Sequence, residues 1–424
     1  MRHARAAACV LSVGVAAACS GTSSPAAARY ALEAVGGTYD DGSGLPGIAV
    51  LATLRDAAGA GPAAAWAGTL ADASGPRAQV AYADASPGSY AALWWPDLAF
   101  ATGTYTLALA SADDSASATF PVAAGGAMEI PFPTLSPDGA TLSWSTAAGA
   151  AGAGCRIANG TVVVRSTVGT ATSCSVGDLP DGAYQASALA FSADLAALAA
   201  DGSERPALPG RFNVSEGRIA FLRAGAAPAV VALAAGGAID AGIGVRTLAT
   251  WLSIRNADGT PPASAWSATI TAPGIAPLAF TYPAGFSRLL VWSYDLAATP
   301  GQYVLTATSA AGTLTLPFAI GEPAALATPT GVAATDGAKG SAHVAWTAVT
   351  GARSYLVGVW QGASFVTSQW VGSTSADFPE GTFTANQAYD VYVAATDADM
   401  VGGARPAQVA VAENTQEPAT FVAR

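Results

Sequence analysis

The sequence predicts an all-β protein, a tandem array of four β-sandwich modules in an A-B-A-B duplication. Three observations carry this: a period of two along short runs, turn dipeptides between the runs, and a repeat about 200 positions on. At roughly 100–200 residues per domain, 424 residues suffice for two to four domains. The chain is 51% hydrophobic and 11% charged, against about 25% charged in ordinary soluble domains. Disorder driven by charge is therefore excluded. A net charge of −11 also excludes the basic face with which nucleic-acid binders displace counterions.

The alternation is clearest in residues 103–110, where Tyr105, Leu107 and Leu109 alternate with small or polar residues. Residues 303–308 and 389–394 repeat the pattern, which is that of a half-buried strand. Asp-Gly, Asn-Gly and Pro-Gly pairs separate the runs and mark turns. Short strands at this spacing point to sandwiches. Alanine favours helix, but here it is interleaved with Thr, Val, Gly and Pro. Residues 190–200 are the exception and are expected to form a short helix or loop insertion.

The repeat sets the architecture. Residues 54–59, Leu-Arg-Asp-Ala-Ala-Gly, return as Ile-Arg-Asn-Ala-Asp-Gly at 254–259, and Ala65-Trp66 as Ala265-Trp266. Trp94, Leu98, Tyr105 and Leu107 return as Trp292, Leu296, Tyr303 and Leu305. This unit A spans 29–127 and 228–322. Between its copies, Leu142-Ser143-Trp144 returns as Val344-Ala345-Trp346. Unit B spans 128–227 and 323–424. The four modules are A1, B1, A2 and B2. Bulky residues near 130–133 and 317–320 suggest tight joints within each pair. The small residues at 224–229 suggest an exposed linker between pairs.

Residues 1–18 carry Arg2 and Arg5 before an apolar run from Ala6 to Ala18. That run suits the h-region of a signal peptide and is short of the ~20 residues of a membrane span. Ala16-Ala17-Ala18-Cys19 resembles a bacterial lipobox, with Ala16 where that family prefers leucine. The resemblance implies a lipoprotein signal peptide over 1–18, lipidation at Cys19 and a tether over 19–28. It places the protein at the bacterial cell envelope, on the outer membrane because Ser20 is not an acidic retention signal. The alternative is an ordinary secretory peptide cut after Ala-x-Ala. Removing 1–18 leaves 16 basic and 29 acidic residues, one histidine (His343), and Cys155 and Cys174 beside Cys19. In an oxidising compartment these two cysteines are expected to form a disulfide.

In unit B, Pro329–Val332, His343–Trp346, Tyr355–Val357 and Asn386–Val393 resemble a fibronectin type III domain. The resemblance implies that Trp346 packs in the core on the second strand and that Tyr389 forms a corner near the sixth. The first copy keeps Trp144 and Tyr184, lacks the middle tyrosine, and adds Cys155 and Cys174. Unit A resembles immunoglobulin-like sandwiches in general pattern.

Catalytic inventory is thin. One histidine cannot build a His-rich metal site. A Ser-His-Asp triad would have to use His343, which is expected on a strand surface. A Cys-His dyad would need a free thiol, and no Gly-rich phosphate loop precedes a helix. Neither cofactor nor metal is expected. Two acids are all a glycosidase needs, but Asp40-Asp41, Asp113-Asp114 and Asp397 with Asp399 read as solvated loop acids. Thr396–Asp399 lacks the glycine and distal glutamate of a calcium loop. Trp94, Trp95, Trp292, Tyr294, Trp360 and Trp370 either pack in cores and joints or form platforms for sugars or peptides. On a strand, Trp94 and Trp95 must face opposite ways. The expected function is a non-enzymatic, lipid-anchored adhesive or binding stalk with a protein or glycan ligand and no nucleic acid. A carbohydrate-binding or envelope-assembly accessory protein is the alternative.

Overall fold

A computed structural model describes residues 29–82, 90–96, 98–126, 128–200, 208–225, 229–241, 246–321, 325–402, 405–406, 408–414 and 418–424. The expected signal peptide, Cys19 and the expected tether lie outside the described residues, as do 226–228 of the expected linker. The fold is all-β, with one short α-helix and one 3-10 turn among the described residues.

The strands fall into four groups. A1 holds β1 (Tyr30–Asp40), β2 (Gly47–Asp56), β3 (Trp66–Asp72), β4 (Gly75–Tyr82), β5 (Ala91–Trp95), β6 (Gly103–Ala110) and β7 (Ser115–Val122). B1 holds β8 (Thr134–Leu135), β9 (Thr141–Ser143), β10 (Gly152–Asn159), β11 (Val162–Gly169), β12 (Ser173–Ser175), β13 (Gly182–Phe191) and β14 (Val214–Arg223). A2 holds β15 (Val230–Asp240), β16 (Arg246–Asn256), β17 (Trp266–Thr271), β18 (Leu278–Tyr282), β19 (Leu289–Ala297), β20 (Gly301–Ser309) and β21 (Gly312–Ile320). B2 holds β22 (Ala333–Asp336), β23 (Ala342–Ala345), β24 (Ser354–Gln361), β25 (Ser364–Val371), β26 (Ser375–Phe378) and β27 (Ala388–Thr396), and its last strand is split into β28 (Val409–Glu413) and β29 (Ala419–Val422).

In every module the first, second and fifth strands form one sheet, and the third, fourth, sixth and seventh form the facing one. Units A and B therefore share one strand order, and the immunoglobulin-like label for unit A does not distinguish it from unit B. The duplication is visible atom by atom. Leu54 N donates to Tyr82 Oη at 3.1 Å, and Ile254 N to Tyr282 Oη at 3.1 Å. A tyrosine near the start of each sixth strand closes a corner of its sandwich. Tyr105, Tyr184 and Tyr303 donate to carbonyls four residues upstream at 2.8–3.1 Å, and Tyr389 accepts from Thr384 N at 2.9 Å.

The helix α1 (Leu195–Ala200) consists only of the strong helix formers leucine and alanine. Asp194 caps it by accepting from the backbone of Ala196 and Ala197, two of the donors a helix start leaves free. Upstream, Ala190 and Phe191 still belong to β13, so only the second half of the exceptional stretch is helical.

A disulfide joins Cys155 on β10 to Cys174 on β12, tying the two sheets of B1 together. Positions 202 later hold Val357 and Ala376, both buried in the B2 core.

The modules are not separate beads. β1 pairs in parallel with β14 through Tyr39–Val214 and Asp40–Ser215. β15 pairs in parallel with β28 from Gly237–Val409 to Asp240–Ala412. Between the pairs, β14 and β15 pair antiparallel through Ala220–Ala232, Phe221–Val231 and Leu222–Val230. One 15-stranded sheet thus runs through all four modules. The strands on either side of the expected linker at 224–229 are therefore paired directly to each other. Gly225 is exposed, Ala229 is buried, and Leu222 and Val230 sit in the A2 core.

Candidate functional site

The most constrained region is where A modules meet B modules, and it begins with glycine. Gly36-Gly37 in β1 and Gly236-Gly237 in β15 are the same dipeptide 200 positions apart. A methyl group on Gly36 would strike Val122 and Phe120 of its own module, and on Gly236 it would strike Ile320 and Phe318. On Gly37 it would strike the Phe212 carbonyl of B1, and on Gly237 the Val409 carbonyl of B2. The first glycine of each pair admits the module's own seventh strand. The second admits the neighbouring module's backbone, a close approach that only glycine permits. Gly237→Ala is expected to cost about 1–3 kcal/mol as an overpacked site and to loosen A2 from B2. Gly126→Ala, with no atom near the added methyl, should change stability by under about 0.5 kcal/mol; chemical denaturation of both variants checks this.

Just beyond the A1 glycines lies a buried polar knot. Tyr39 Oη donates to Glu216 Oε2 at 2.5 Å, and Ser187 donates to the other carboxylate oxygen. Arg218 Nη2 donates to Glu216 Oε2 at 2.7 Å and to Tyr39 Oη at 2.5 Å. Its Nη1 lies 3.7 Å from Asp41 Oδ2. Burial alone would raise the Glu216 pKa. The Arg218 charge and the three donors outweigh it and hold the carboxyl at about 2. Although burial works against its charge, the Glu216 carboxylate raises Arg218 above its ordinary value. Burial, helped by the Glu216 charge, pushes the Tyr39 phenol well up.

B2 reaches the same place. Arg405 donates twice to Ala234 O of A2, at 3.2 and 2.7 Å, and lies 4.2 Å from the ring centroid of Phe132 in B1. Burial brings it down to about 10, so it stays charged at neutral pH. Gln408 donates to Ser43 O of A1. Side chains or backbone of all four modules thus meet within this region.

Of the acids, Asp40 and Asp41 belong to this joint rather than to a solvated loop. Asp40 accepts from Gly42 N at 2.8 Å, and burial raises its pKa. Asp397 is half-buried, its pKa is raised by that burial, and it accepts from Ala410 N. Asp114 accepts from Arg29 N on an exposed loop. His343 lies on the surface of β23, 2.7 Å from Asp377. Among the described residues, no group of three or more His, Cys, Asp or Glu could hold a metal.

The aromatics divide. Trp95 packs against the A1 core and Trp94 against the cluster shared by A1 and B1, on opposite faces as alternation requires. Trp292 and Trp370 flank the cluster shared by B1, A2 and B2. Tyr294 donates to Glu413 Oε2 at 2.5 Å. Trp360 meets Phe365 and Tyr392 edge to face.

No protein-family model matches the chain, and no curated protein matches it. Among solved structures, the chain is similar to the FN1–FN3 domains of chicken CNTN1, at 13% identity over 70% of this chain and 98% of that one, TM-score 0.20. It is similar to a two-domain fibronectin type III segment of chicken tenascin, at 17% identity over 44% and 95%, TM-score 0.18. It also matches E. coli alpha-2-macroglobulin at 12% identity over 91% of this chain and 29% of that protein, TM-score 0.19. The fold assignment stands on the chain's own strand order. Sequence reading missed the Gly-Gly seams and the knot. The one available signal was the recurrence of Gly-Gly inside strand-like runs at the repeat offset.

Proposed function

We propose that the chain is an exported, lipid-anchored envelope protein that works as a rigid, non-catalytic binding scaffold. The observation that supports this best is the single sheet passing through four sandwiches, locked by two Gly-Gly seams and the Glu216–Arg218 knot. Such a body transmits position and force from an anchored end to a distal ligand face. A fold alone does not decide function, so rigidity is the property that carries the reading. Stacking of sugars on Trp94, Trp292 and Trp370 is disfavoured, because these rings face module joints. The disulfide accords with an oxidising compartment.

Anchoring is tested at Cys19. Acyl chains contribute about 0.8 kcal/mol per buried CH₂, and two together hold a protein stably on a membrane. Mass spectrometry of the mature N-terminus is expected to show an acylated cysteine, and Cys19→Ala should move the protein to the soluble fraction. An unmodified N-terminus at another residue would overturn the anchor.

A further inference from the structure

A cavity of about 370 Å³ opens where A1, B1 and A2 meet, within the ~300–1,000 Å³ typical of small-molecule sites. Its floor is the outer face of the B1 sheet. There the register aligns Arg156, Ser187 and Arg218 in one row across β10, β13 and β14. With strands about 4.8 Å apart, the two arginines stand about 10 Å apart. Gln185 lies in the adjoining row. Gln302 of A2 reaches in from the opposite side, and Pro96 and Pro317 supply rigid apolar walls.

The charges in this cavity are unequal in what they have left to offer. Arg218 is committed to Glu216, Tyr39 and Asp41. Both Glu216 oxygens are occupied by Arg218, Tyr39 and Ser187. Arg156 is exposed, and its side chain makes no hydrogen bond or ion pair to any described residue, nor do the side chains of Gln185 and Gln302. A planar guanidinium without a partner suits an oxyanion, and it can hold a carboxylate through two parallel hydrogen bonds. Free carboxamides offer a donor and an acceptor each, which suits hydroxyl groups. The cavity has no unpaired acid to receive an ammonium.

We propose that this cavity binds a uronic-acid-type sugar. Arg156 takes the carboxylate, Gln185 and Gln302 take ring hydroxyls, and the prolines cover the apolar face. This goes beyond the scaffold reading and does not depend on the anchor. Isothermal titration of the full chain in detergent with glucuronate and galacturonate, against glucose and glucosamine, tests it. Saturable binding of a uronate is expected, at least tenfold weaker for glucose and glucosamine. Arg156→Ala should weaken uronate binding at least tenfold while leaving the unfolding midpoint unchanged, as its exposed position allows. Gln302→Ala should weaken it severalfold, which places the ligand between B1 and A2. No uronate binding at millimolar concentration, equal binding of glucose, or unaltered binding by the Arg156 variant would overturn the site.

Discussion

Replacing Arg218 by methionine is expected to destabilise the chain by about 3–5 kcal/mol, the range for removing one partner of a buried ion pair. The substitution keeps much of the apolar stem but leaves Glu216 buried with its charge, and Asp41 beside it. The same knot gives the protein an acid limb. Glu216 has a folded pKa near 2 against about 4.3 in an unfolded chain. A depressed carboxylate adds stability that is fully present above about pH 4.5 and is lost as pH falls toward 2. The gap is worth about 3 kcal/mol. Glu413 and Asp397, both raised by burial, act in the opposite sense and lose stability as pH rises through their folded values. Stability measured from pH 7 downward should therefore hold or rise until about 4.5, then fall. In Glu216→Gln the final fall should shrink. A low-pH limb unchanged in that variant would show that another group controls it.

Loss of the B1 disulfide is expected to cost about 3 kcal/mol, from loop closure over 19 positions in the chain-entropy model. Cys155→Val combined with Cys174→Ala isolates the cross-link, because it copies the Val357 and Ala376 that fill the equivalent places in B2. Packing is then supplied by a solution the chain already uses. Calorimetry of the double variant should show B1 melting ahead of the rest, and a melt identical to the parent would contradict the assignment.

The sandwiches were legible in the sequence because their signals are local. Tyr105, Leu107 and Leu109 alternate within one strand, and Trp66 and Trp266 mark the same place in two copies. Pairing of Cys155 with Cys174 followed from the expectation of export and from counting. The joints were not legible, because each depends on a partner far along the chain. Gly37 meets Phe212, Asp41 meets Arg218, and Gly237 meets Val409. Within its own strand a Gly-Gly pair is merely a weak strand former. Asp40-Asp41 resembled any acidic turn. Trp94 and Trp95 could be assigned to opposite faces, but nothing local said that a second module covered one of them. Residues 224–229 looked like a linker because small residues serve loose connections, and nothing local showed that β14 and β15 on either side pair.

The central claim is that four sandwiches form one rigid body through strand pairing across their joints. Electron spin–spin distance measurement tests it directly, with labels at Ser74→Cys in A1 and Ala363→Cys in B2. Both positions are exposed and lie far from the joints in sequence. A single narrow distance distribution is expected, broadening when Gly237→Ala is introduced. A broad distribution in the parent protein, indifferent to that substitution, would mean that the modules move as independent beads and that the continuous sheet does not persist in solution.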